Sequence, residues 1–109
     1  MKAAKSQNNT KILKHWKTKE KIICVASYEV KVVQWLNKNK IEYLWQPKMF
    51  EMPNGKRYLP DVYIIGNDLW IEIKGYFRKD AKEKWEWFHN EYPNSELWNE
   101  DKLKEMEII

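Results

Sequence analysis

Residues 59–75, LPDVYIIGNDLWIEIKG, carry an aspartate, a Gly-Asn turn signal and a glutamate two residues before a lysine, in a run that is otherwise mostly apolar. Gly66-Asn67 suits a two-residue hairpin turn with glycine first, the type II′ pattern. With those two residues as the loop, Ile65 pairs with Asp68, Tyr63 faces Trp70, and Asp61 faces Glu72. One face of the hairpin then reads Val62, Ile64, Leu69, Ile71 and Ile73, all apolar. The other reads Asp61, Tyr63, Asp68, Trp70, Glu72 and Lys74, apart from Ile65. A three-residue loop would put Asp61 on the apolar face, and a one-residue slip is expensive where one face is buried. The pattern predicts Asp61 and Glu72 as cross-strand neighbours, with Lys74 diagonal to both.

Like charges directly opposed across a sheet repel. A nearby lysine relieves part of that repulsion. A divalent cation relieves more, and magnesium suits one or two carboxylates with several waters. The alternative is a surface cluster in which Glu72 and Lys74 pair on a solvated face. Tyr63 and Trp70 share the face, which predicts that it is covered, and covered carboxylates need a partner.

Outward from this hairpin, KIICVA (21–26) predicts a short strand. SYEVKVVQWLNKNK predicts a helix capped by Ser27, with Val32, Val33 and Leu36 on one face. IEYLWQPKMFEM (41–52) alternates as a strand interrupted at Pro47, as an edge or a bulge allows. PNGK (53–56) holds the Asn-Gly hairpin signal. The spacing of Ala81, Trp85, Phe88 and Tyr92 marks an amphipathic helix from Arg78 to about Glu91, ended by Pro93. SELW reads as a last short strand and EDKLKEMEI as a last helix. The order is β-α-β-β-β-α-β-α, a mixed α/β domain over residues 21–109, with no repeat, linker or second domain.

The chain has 109 residues, enough for one core. No run approaches 18 apolar residues and no N-terminal signal is seen, so the chain is expected to be neither membrane-spanning nor secreted. Cys24 is alone, which excludes an intrachain disulfide and fits a reducing, cytoplasmic setting, viral or bacterial sources included. One Cys and two His exclude the usual structural zinc sites. The net charge of +4 is uneven: residues 1–21 hold seven Lys against Glu20 alone. Residues 1–20 therefore read as a flexible basic arm suited to nucleic acid, or as a solubilising tail.

Pro60-Asp61 followed by Glu72-Ile73-Lys74 resembles the PD-(D/E)XK nuclease signature, with proline-aspartate on one strand and glutamate-x-lysine on the next. Residues 27–50 resemble the helix-then-strand lead-in of that superfamily, including a helix glutamate, here Glu29. Residues 58–88 are similar to its small phage-type members, in the style of Holliday-junction-cutting, very-short-patch and homing-like endonucleases. The likeness covers about residues 22–103; the basic arm lies outside it.

The resemblance implies a restriction-endonuclease-like mixed sheet flanked by helices. It implies a metal-dependent DNA endonuclease using magnesium, with manganese as substitute, and the want of a separate specificity domain favours structure-selective cutting of branched or nicked DNA, or a partner. Asp61 and Glu72 would be the metal ligands, with the Ile73 carbonyl as a third. Lys74 would orient or activate the attacking water, or neutralise charge on the scissile phosphate. Glu29, on the face of Val32, Val33 and Leu36, would reach the metal shell, although a first-turn acid also simply favours the helix dipole. Gln46 sits where it could touch the site, or is an ordinary loop glutamine.

DNA contacts are expected from Lys11, Lys14 and Lys17 in the arm and from Arg78, Lys79 and Lys82 after the Glu72 strand. Lys84 is read as part of a solvated helix face. His15 and His89 present no Ser-His-Asp arrangement, and His89 reads as structural. The tryptophans read as core, with Trp16 of the arm as a candidate for stacking on a base. Two other readings stay open: a catalytically silent nucleic-acid-binding module, and a nuclease subunit of a recombination or restriction assembly. A homodimer is compatible with either.

Overall fold

The computed structural model describes residues 10–109, so Lys2 and Lys5 of the expected arm lie outside the described residues. The first half of the chain contains β1 (Lys11–Lys14), β2 (Lys21–Cys24), α1 (Ser27–Lys38), β3 (Tyr43–Trp45), β4 (Phe50–Glu51) and β5 (Arg57–Tyr58). The second half contains β6 (Val62–Ile64), β7 (Leu69–Ile73), α2 (Lys79–Glu91), β8 (Ser95–Trp98) and α3 (Glu100–Glu105). Strands β3-β6-β7-β8 form a mixed sheet, in which β7 runs antiparallel to β6 and parallel to β8. Helices flank it, giving a single α/β domain. No helix among the described residues is long and apolar enough to cross a membrane.

The alternation along 62–73 sorts the domain into two cores. Val62, Leu69, Ile71 and Ile73 meet Val32, Val33 and Leu36 of α1, Leu103 of α3, and Ile22 and Cys24 of β2. On the other face, Trp70 joins Phe50, Met52 and Tyr58 from β4-β5 and Trp85 and Phe88 from α2. Phe88 is fully buried and lies between the rings of Phe50 and Tyr58, at centroid distances of 5.0 and 4.9 Å. Burying one such phenylalanine stabilises the fold by about 1.5–3 kcal/mol. Both faces of β7 are therefore covered.

The observed pairs are Val62↔Ile71, Tyr63↔Trp70 and Ile64↔Leu69, the register the sequence predicts. The turn itself differs. Ile65 does not pair with Asp68; its N–H donates to the Glu42 carbonyl at 3.1 Å, extending the β3 ladder. That leaves a four-residue loop at 65–68, in which Asp68, not Gly66, takes the left-handed conformation at φ 54°. Aspartate tolerates this region better than most residues. The two loops share one register, so the face assignment survives the change of turn.

Three other expectations are corrected. Residues 11–20 are not a free arm: β1 pairs with β2, Leu13 stands opposite Ile22, and His15 is buried. Strand 41–52 is broken, because Gln46 turns left-handed at φ 46° and Pro47 offers no N–H. β3 stays in the main sheet, whereas β4 leaves it and pairs with β5 across Asn54-Gly55. Ser27 is the first helical residue rather than the cap; Ala26 holds the cap position and no side chain bonds there.

Candidate functional site

The site begins just before β6 starts. The β6–β7 pairing stops at Val62↔Ile71, and Asp61 lies one residue outside it, beside Glu72 of β7. Two hydrogen bonds straddle Glu72: Asp61 N–H donates to the Ile71 carbonyl at 3.1 Å, and Ile73 N–H donates to Asp61 Oδ2 at 2.7 Å. The aspartate side chain thus takes a backbone partner's place just ahead of β6. The Gln46 N–H donates to the Asp61 carbonyl at 2.8 Å and holds it from the other side.

Asp61 and Glu72 are 7% and 6% exposed, which rules out the solvated charge cluster. Glu72 makes no ion pair among the described residues. Its Oε1 accepts instead from the Tyr58 hydroxyl at 2.5 Å. Burial, the facing Glu72 and the more distant Glu29 push Asp61 up to about 8, against the Ile73 N–H and Lys74. Burial raises Glu72 as well, while the Tyr58 hydroxyl and Lys74 hold it down. Two buried carboxylates with one half-buried lysine nearby are electrostatically under-compensated.

Glu72 and Lys74 open into a cleft of about 400 Å³. Arg57 and Tyr58 line it from β5, and Asp80 and Lys84 from α2. Lys84 is therefore a wall residue rather than part of a solvated face. Arg78, Lys79 and Lys82 are exposed and do not line the cleft.

Glu29 approaches only as a charge. Its Oε1 accepts the Val25 N–H at 2.9 Å, closing the start of α1, while its negative charge still raises both Asp61 and Glu72. Among the described residues, no three His, Cys, Asp or Glu side chains converge as a metal-holding group. The acidic donors brought together are the pair Asp61 and Glu72. Their second oxygens, Oδ1 and Oε2, accept no hydrogen bond from a described residue. A hard cation that keeps several waters fits such a pair. Ile73 meets the site through its N–H; its side chain belongs to the α1 core.

Elsewhere, Lys11 and Lys14 are exposed on β1, and Lys17 sits 3.1 Å from Glu42. Trp16 is not free to stack on a base: its indole N–H donates to the Ile41 carbonyl at 2.7 Å, and Lys40 lies over its ring. His15 is structural, with Nε2 donating to the Tyr43 carbonyl at 2.9 Å and Nδ1 accepting from Lys17 N–H at 3.0 Å. His89 bonds Ser95 Oγ through Nδ1 at 2.7 Å.

Arg57 and Tyr58 escape a reading of the sequence. The signal available was PNGK, which folds residues 50–58 back on themselves immediately before Pro60-Asp61. No family model, curated protein or solved structure matches the chain.

Proposed function

We propose that the protein is a metal-dependent endonuclease of the PD-(D/E)XK type, hydrolysing DNA phosphodiester bonds on a restriction-endonuclease-like version of this sheet. The observation that carries the reading is the pair of buried carboxylates, Asp61 held by the Ile73 N–H and Glu72 by the Tyr58 hydroxyl, with Lys74 beside Glu72 in a cleft that Arg57 and Lys84 also line. Magnesium, or manganese in its place, supplies polarisation of a phosphoryl oxygen and activation of water when bound.

The remaining work belongs to the chain's own side chains. Asp61 and Glu72 would hold the ion through the oxygens left without a protein donor, and its charge would relieve their mutual repulsion. Lys74, projecting from the end of β7, neutralises charge that builds on the scissile phosphate. Arg57 and Lys84, on opposite walls, hold the backbone phosphates that flank it. Lys11 and Lys14, exposed on β1, offer further phosphate contacts, and nicked or branched DNA suits a small domain that surrounds its substrate on few sides.

The test is cleavage of linear, nicked and four-way DNA by purified protein, with magnesium and with chelator. Metal-dependent cutting lost in Asp61→Asn supports the reading. Undiminished cutting by that variant, or in chelator, would sink it. Tight DNA binding without cutting under any metal would favour the silent binding module.

A further inference from the structure

We propose that Tyr58, outside the Asp61–Lys74 motif, is the positioning residue that presents Glu72 to the cation, an inference that rests on the metal-dependent reading above. Glu72 has three rotatable side-chain bonds, and the strand alone does not orient its carboxylate. The Tyr58 hydroxyl does so by donating to Oε1 at 2.5 Å, which would leave Oε2 to hold the ion. The hydroxyl is itself held by packing. Tyr58 is buried, its ring lies 4.9 Å from that of Phe88, and Phe50, Met52 and Trp85 complete its surroundings.

The same device acts on the partner carboxylate, where the Ile73 N–H pins Oδ2 of Asp61. Each acid thus has one oxygen anchored by the protein. β4-β5 is not part of the four-stranded sheet, and the Tyr58–Glu72 bond joins this separate hairpin to β7. Docking of the hairpin and orientation of the ligand are one contact.

The experiment is calorimetric titration of the DNA-free protein with Mn²⁺, for wild type, Tyr58→Phe and Asp61→Asn, each with a melting curve. Donors behind metal ligands typically contribute about 10- to 100-fold in affinity, so Tyr58→Phe should bind Mn²⁺ at least about tenfold more weakly while still melting cooperatively. Its melting temperature should still rise with Mn²⁺ but need proportionally more of the ion to do so, a shift along the concentration axis that a general structural defect would not give. Wild-type Mn²⁺ affinity in a folded Tyr58→Phe protein overturns the positioning role. If Tyr58→Phe fails to fold, Glu72→Asp draws the carboxylate away from the hydroxyl while keeping its charge; undiminished affinity there overturns the role equally. A wild-type protein that binds no Mn²⁺, or an Asp61→Asn variant that binds as wild type, removes the metal site itself and the inference with it.

Discussion

The ring of Tyr28 lies across Gly75: a β-carbon on Gly75 would stand 2.7 Å from Cε2 of Tyr28 and 3.0 Å from Cδ2. Tyr28 precedes Glu29 at the start of α1, and Gly75 follows Lys74 at the end of β7. The contact therefore sets how closely the helix start approaches the site. Gly75→Ala should destabilise the fold by about 0.5–1.5 kcal/mol, because the half-exposed Tyr28 ring must swing off its rotamer to make room. Tyr28→Ala in the same chain should recover part of that loss, because the two changes share one contact. Urea melts of both single variants and the double variant check this; strict additivity would refute the contact.

Asp61→Asn and Glu72→Gln remove charge while keeping shape. Each should lower cleavage by about a hundredfold or more and leave the fold and DNA affinity largely intact. Lys74→Ala should be comparably damaging. Calcium should support DNA binding without cutting, because its looser coordination positions water poorly. Gel assays with each ion decide the matter, and brisk cutting in calcium would count against the ligand set.

The elevated Asp61 makes a signed prediction about pH. Its carboxyl rises from the ordinary 3.8 to about 8 in the folded protein. Below pH 4 the folded and unfolded chains both keep the proton. Between about 4 and 8 the folded chain holds a proton that the unfolded chain has released, so this group's contribution to stability falls as pH rises. In chelator, the melting temperature of Asp61→Asn should therefore gain on wild type from pH 5 to pH 8. Magnesium should act in the opposite sense, stabilising wild type more at the alkaline end, where the ionised pair is available. A wild-type minus Asp61→Asn difference that does not change with pH would refute the buried pair.

The register around Asp61 was legible because period-two alternation at 62–73 leaves one solution when a face is buried. Turn type was not, because Ile65 is drawn to Glu42 by a strand from another part of the chain. β1 was hidden by its own composition: lysines at 11 and 14 read as an arm, yet Leu13 and Trp16 pack on the core and His15 is buried against Tyr43. Ser27 has the chemistry of a cap, but the helix starts one residue earlier than that reading expects, with Ala26 in the cap position. The Tyr58–Glu72 bond spans 14 residues and two turns, so no local pattern announces it.

The basic residues of β1 can be separated by salt dependence. Lys11→Gln and Lys14→Gln should each flatten the slope of log affinity against log salt by about one if each contacts a phosphate. Lys17→Gln should change it less, since Glu42 already partly neutralises that lysine. Removing residues 1–20 outright would instead delete β1 and the His15 contacts, so point substitutions are the cleaner measurement. Equal slopes for all three variants and wild type would remove β1 from the DNA-binding surface.

Cys24 closes the β2 strand with no exposed surface, and burial, followed by Glu29 and Asp61, pushes its thiol up to about 11. A thiol that is both hidden and protonated is chemically silent until the β1-β2 hairpin lifts. Its alkylation rate, divided by that of the unfolded chain, then measures how often the hairpin opens, making the lone cysteine a clock for local breathing beside Asp61. Ions that lock the carboxylate pair should slow that clock, and Leu13→Ala, which loosens the hairpin without touching either acid, should quicken it.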